Sequence, residues 1–171
     1  MKRSLGLIIT LGALISLFQS CSIKLNGSSI PPDLKTINIS FFENNAPLVV
    51  ASLGQDFTEA LKARVRNTTR LSIVTGEGDA SISGAIVEYR YAPISIPATS
   101  PNVAPIANAS ALSITVHVKF VYDADKKLSF EQNFTKSQNY TGDLASQQDV
   151  LIQAINRQLI DEIFNTAFNN W

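Results

Sequence analysis

The residue best equipped for chemistry is Cys21, the only cysteine of the chain, because a thiol closing a short apolar leader is the acyl acceptor of a bacterial lipoprotein signal. Lys2 and Arg3 supply a positive start, Leu5 to Phe18 an apolar run, and Ser20 a small residue just before the thiol. Phe18-Gln19-Ser20-Cys21 is a loose form of that motif, with Phe and Gln where Leu and a small residue are usual. Gln19 and Ser20 close the run short of the ~20 apolar residues that span a bilayer. A lone thiol in an exported protein also has no second cysteine to pair with. The expectation is a signal peptide over residues 1–20, removed to leave Cys21 as a lipidated N-terminus. An ordinary signal peptide cut elsewhere is the alternative. Each buried acyl methylene, as in a palmitate chain, contributes ~0.8 kcal/mol of membrane binding, so several chains anchor stably where one does not.

The remaining inventory argues against catalysis and predicts no cofactor. His117, the single histidine, lies on the polar side of an alternating stretch between Thr115 and Lys119. No Cys or His cluster has metal-ligand spacing, so no metal site is expected. Gly76-Glu77-Gly78 follows a strand but opens no helix and has no Lys-Ser/Thr after it, which makes it a turn, not a phosphate cradle. Asp161 and Glu162, adjacent on a helix, point roughly 100° apart, and Asp123 with Asp125 occupies a turn, so both pairs read as solvated charge. The chain carries 14 basic and 14 acidic residues, and loss of Lys2 and Arg3 leaves 12 against 14, a mature net charge of −2. That balance lacks the basic footprint of a nucleic-acid binder. The triplets Asn67-Thr68-Thr69 and Asn133-Phe134-Thr135 match a glycosylation pattern, but beside a bacterial leader they read as coincidence.

The elements that position these residues follow from hydrophobic period. A polar stretch with Gly27, Ser28, Ser29 and Pro31-Pro32 suits a tether over residues 21–34. Lys35 to Phe42 alternates with Ile37, Ile39 and Phe41 on one side, predicting a strand. Leu53, Phe57, Ala60, Leu61 and Val65 fall at helical spacing, predicting a helix from Ser52 to Arg66 with a Ser52/Gln55 capping box. A short strand at Leu71 to Val74 precedes the glycine turn. A long strand, Ala80 to Ile96, changes phase between Ile82/Gly84/Ile86 and Val87/Tyr89/Tyr91, which predicts a bulge between Gly84 and Glu88. Pro97 to Ser110 reads as a long mobile loop. Leu112 to Tyr122 alternates without a break and returns through Asp123 to Lys126 into Leu128, Phe130 and Phe134, a β-hairpin. Leu151, Ile155, Leu159, Ile163 and Ala167, widened by Ile152, Phe164 and Phe168, make a final helix with Ser146 and Asp149 as cap candidates. The order β-α-β-β-β-β-α predicts one α+β domain over residues 35–171. It is a two-layer sandwich in which a mixed, mostly antiparallel sheet of four to five strands carries two helices on one face.

Ser29-Ile30-Pro31-Pro32-Asp33-Leu34-Lys35-Thr36-Ile37, Phe41-Phe42-Glu43-Asn44-Asn45-Ala46, Phe57-Thr58-Glu59-Ala60-Leu61 and the ending Ile163 to Trp171 resemble, in order and spacing, the LptE-like lipopolysaccharide-assembly lipoproteins of Bacteroidetes. The resemblance implies a lipid-anchored outer-membrane protein that plugs a lipopolysaccharide-exporting β-barrel, helping the barrel fold and the glycolipid reach the outer leaflet. It implies lipopolysaccharide contacts through basic side chains. The candidates are Arg90, Lys119, Lys126, Lys127 and Lys136, on or beside the three long strands, which meet lipid phosphates if they converge at one end of the sheet. No acidic run follows Cys21, so the periplasmic face of the outer membrane is expected. An auxiliary lipoprotein of an inter-membrane lipid transporter is the competing reading, and a hydrolase using Ser and Asp is a third, poorly supplied without a usable His.

Overall fold

The structure, a computed structural model, describes residues 30–48, 50–94 and 109–168. The signal segment, Cys21, most of the tether, most of the loop from Pro97 and the terminal Trp171 lie outside them. The described chain forms β1 (Thr36–Ile39), β2 (Glu43–Asn44), α1 (Leu53–Thr68), β3 (Ser72–Val74), β4 (Ala80–Pro93), β5 (Ala109–Tyr122), a 3-10 turn (Lys126–Leu128), β6 (Phe130–Thr141) and α2 (Gln148–Phe168). The six strands make one sheet in the order β3-β1-β4-β5-β6, with the two-residue β2 pairing beside β4. The short pairings of β1 and β2 are parallel. The long β4-β5 and β5-β6 ladders are antiparallel. This is the expected α+β sheet with one more strand than the sequence announced.

Alternation decides which face is inward. On β5, Leu112, Ile114, Val116, Val118 and Phe120 are all fully buried, and their cross-strand neighbours Ile82, Ile86, Tyr89 and Phe134 share that face. The predicted bulge falls between Ile86 and Glu88. It drops Val87 from the ladder, so Ile86 and Tyr89 both point inward although three residues apart. Tyr91 shares their face opposite Leu112 but is 53% exposed. Gly84 is required where it stands: a Cβ there would collide with the His117 carbonyl and lie 2.7 Å from the Phe42 ring.

Both helices bury their stripes against this inward face. Leu53, Phe57, Leu61 and Val65 of α1, at four-residue intervals, are fully buried. Ile155, Leu159, Ile163 and Phe168 of α2 are fully buried as well. Each such side chain contributes about 1.5–3 kcal/mol on leaving water. Ala60, expected inward, is exposed, whereas Thr58 is buried. The Thr58 hydroxyl donates to the Gly54 carbonyl at 2.7 Å and accepts the Phe42 amide at 3.0 Å.

That second bond explains a correction. β1 ends at Ile39, not Phe42, and Phe41 is 59% exposed while Phe42 is fully buried, its ring 5.1 Å from Phe57. Capture of the Phe42 amide by α1 breaks the strand period one residue early. The expected capping box is absent too: Ser52 has φ −84° and ψ −15°, a helical conformation, and its side chain makes no cap bond. Before α2, Ser146 Oγ donates to the Asp143 carbonyl instead of capping, while Gln147 Nε2 donates to the carbonyls of Thr141 and Asp143. Leu34 is buried in the core and Ile30 packs against it, so the packed unit begins inside the expected tether. Ala109 and Ser110, expected in the loop, open β5, and β6 runs on past Phe134 to Thr141.

Candidate functional site

The helices leave the other face of the sheet uncovered, and that face is polar because alternation puts every second residue of β4, β5 and β6 on it. Its centre is cross-linked by hydrogen bonds. Thr115 Oγ1 donates to Glu88 Oε2 at 3.0 Å and lies 2.9 Å from Thr135 Oγ1. The other oxygen of Glu88 pairs with Arg90 at 3.4 Å. Further along, His117 sets Nδ1 2.9 Å from Asn133 Oδ1 and Nε2 3.1 Å from Glu131 Oε1. Lys119 Nζ is 3.3 Å from Glu131 Oε2. The hydrogen bond from Lys119, and then that from His117, holds the Glu131 carboxyl below its ordinary value. These pairs are about half exposed, so solvent screens them and each contributes little to stability. They fix side-chain positions more than they stabilise the fold.

The expected cationic cluster is not a single place. Lys119 lies opposite Glu131 and Ser83, near the end where the 3-10 turn presents the exposed Lys126 and Lys127. Arg90 lies opposite Ser113, six positions along β5 from Lys119. At ~3.4 Å per residue that is about 20 Å away. Lys136 is on the opposite, helix-bearing face: it pairs with Ile114 in the ladder, and its ammonium reaches Glu162 of α2 at 2.9 Å. Lys126 and Lys127 have no ion pair among the described residues, whereas Arg90, Lys119 and Lys136 each have one.

His117 sits where alternation put it, and the acidic pairs are more engaged than expected. Asp161 binds Arg64 at 3.2 Å across the helix interface. Glu162 binds Lys136, and Asp125 Oδ1 accepts the Lys127 amide at 3.0 Å. Sequence reading missed Glu88 and Glu131 as partners, because their roles depend on cross-strand register. It also missed Asp79, whose Oδ2 accepts the amides of Lys35 and Thr36 and the Thr36 hydroxyl at 2.8–3.0 Å. That hydroxyl first, then the two amides, lowers the Asp79 carboxyl below its ordinary range. Among the described residues no group of three or more His, Cys, Asp or Glu is placed to hold a metal. No described helix is long and apolar enough to cross a membrane.

The described residues form a two-layer α+β domain whose uncovered sheet face is polar and cross-linked by hydrogen bonds. The chain belongs to the LptE lipopolysaccharide-assembly family, which it matches over residues 34–167. That family is one of non-catalytic envelope lipoproteins that work with the lipopolysaccharide export machinery. A search of curated proteins finds no significant match. Among solved structures the fold is similar to a minor lipoprotein from Acinetobacter baumannii, with TM-score 0.50 and 13% identity over 78% of this chain and 94% of that one. It is similar also to a hypothetical protein from Chlamydia trachomatis, with TM-score 0.52 and 12% identity over 80% and 99%. At such identities the likeness is one of fold.

Proposed function

We propose that this protein is an outer-membrane lipoprotein, anchored through Cys21 on the periplasmic side, that sits in a lipopolysaccharide-exporting β-barrel and assists both barrel assembly and glycolipid passage. The observation that carries the reading is the uncovered sheet face. Its Ser, Thr and Asn side chains and internally balanced charges suit contact with the polar inner wall of a large barrel, where an apolar face would not be tolerated. Family membership supplies the pathway, and the short leader ending at Cys21 supplies the anchor.

In this reading the glycolipid phosphates meet Lys119, Lys126 and Lys127, which share the hairpin end of the sheet. Arg90, about 20 Å away along the strand, gives a second, separate contact, and Lys136 stays with Glu162. Depletion of the protein then lowers the amount of correctly assembled barrel and sensitises cells to large hydrophobic antibiotics. Replacing Lys119, Lys126 and Lys127 together with Gln weakens lipopolysaccharide binding while fold and barrel association persist. Unchanged glycolipid binding by that folded variant refutes the proposed contact and leaves the barrel reading standing. Normal barrel assembly after depletion refutes the barrel reading itself.

A further inference from the structure

β6 is the outermost strand beyond β5. Its twelve residues contain no proline or glycine, and its pairing with β5 runs from Phe130 to Thr141 without a register shift. Alternate residues of an antiparallel strand turn their N–H and C=O groups to opposite neighbours, so about half of the backbone groups of β6 face away from β5. Outside that ladder, the one backbone hydrogen bond found on β6 among the described residues is the Thr141 carbonyl accepting Gln147 Nε2 at 2.8 Å. Edge strands are usually blunted by prolines, bulges or free charges. Both charges on β6 are turned back into the molecule, Glu131 to Lys119 and Lys136 to Glu162.

Beside this edge runs a groove of about 400 Å³ lined by Lys136 and by Gln158, Asp161, Glu162, Asn165 and Thr166 of α2, residues spaced to share one flank of the helix. Asp161 uses Oδ1 on Arg64 and Glu162 uses Oε2 on Lys136. A carboxylate accepts several donors, so each of the two has room for one more. We propose that the free edge of β6 and this α2 groove together form a docking site for an extended segment of a partner protein, which adds a strand to the sheet and lays a basic side chain between Asp161 and Glu162. The main-chain bonds supply affinity and the groove supplies specificity. On the uncovered side the added strand continues the row of Asn133, Thr135, Ser137 and Asn139, so its alternate residues are neutral and polar.

A second copy of this chain fits less well. Pairing β6 with itself about a two-fold axis sets the two α2 flanks face to face, with Asp161 and Glu162 of each against those of the other. The site does not depend on the barrel reading. It is tested on the full-length protein in detergent by fluorescence anisotropy with a ten-residue Thr-Lys alternating peptide, with hydrogen exchange to locate the contact. Binding is expected with slowed exchange at β6. A Thr-Glu peptide should bind at least about tenfold more weakly, as should the Thr-Lys peptide to the protein carrying both Asp161→Asn and Glu162→Gln. Because alternate amides serve opposite edges of a strand, N-methylation of one alternate set should weaken binding at least about tenfold and of the other set less than about twofold. Absence of binding, equal tolerance of both methylation patterns, or protection elsewhere than β6 overturns the proposal. So does a dimer in sedimentation with β6 protected before any peptide is added.

Discussion

Replacing Phe120 with Ala tests the assignment of the two sheet faces most severely. The side chain is fully buried, opposite Ile82 on β4 and Phe130 on β6. Its ring lies 5.6 Å from that of Phe130 and 5.8 Å from that of Phe168, so it ties β5 to its neighbour and to the last turn of α2. Truncating such a ring costs about 3–5 kcal/mol, the transfer free energy plus the cavity left behind. A domain of about 140 residues unfolds with an entropy near 0.3 kcal/mol per kelvin, so Tm should fall by about 10–17 °C. Lys119→Ala, one residue away on the other face, removes a half-exposed ion pair with Glu131. Solvent screens that pair, so its loss should shift Tm by only a small fraction of the Phe120→Ala shift. Thermal melts of the two purified variants by circular dichroism decide the matter. Shifts of equal size would show that the inward face is misassigned.

Gly84→Ala should lower the urea midpoint by the equivalent of about 1–3 kcal/mol with unchanged slope, since the His117 carbonyl is backbone and cannot step aside. An unchanged midpoint would contradict the close approach. The Asp79 carboxyl is held below its ordinary value of 3.8 in the folded protein, so its contribution to stability is complete above that value and is lost as pH falls through the lower folded one. Asp79→Asn should therefore flatten the fall in stability between about pH 5 and 2, read by urea titrations across that range, and an equally steep fall would count against the clamp. Intact mass of protein extracted from membranes should show a chain beginning at Cys21 with added acyl groups. A chain starting elsewhere, or an unmodified Cys21, would remove the anchor from the account.

The parts of the fold written most plainly in the sequence are those where one period governs a whole element. The unbroken alternation from Leu112 to Tyr122 gives β5 and its inward face, the four-residue spacing gives the stripes of both helices, and the phase change before Glu88 gives the bulge. Phe41 and Phe42 read in the wrong order because the amide of Phe42 is taken by Thr58, sixteen residues away. Ser52 has the right residue type for a cap, but its backbone is already helical. The far half of β6 was illegible because an edge strand with one neighbour tolerates polar residues on both faces, as Thr135 to Asn139 do. The site depended on register even more. That Arg90 and Lys119 lie six positions apart on one face, and Lys136 on the other, follows only once β4, β5 and β6 are aligned.

Affinity purification of the full-length protein from native membranes, with its partners identified by mass spectrometry, tests the central claim most directly. An outer-membrane β-barrel of the lipopolysaccharide export machinery should be recovered, and retained at a salt concentration that screens surface charge. Recovery of an inner-membrane transporter complex with no barrel would contradict that claim and favour an auxiliary lipoprotein of inter-membrane lipid transport.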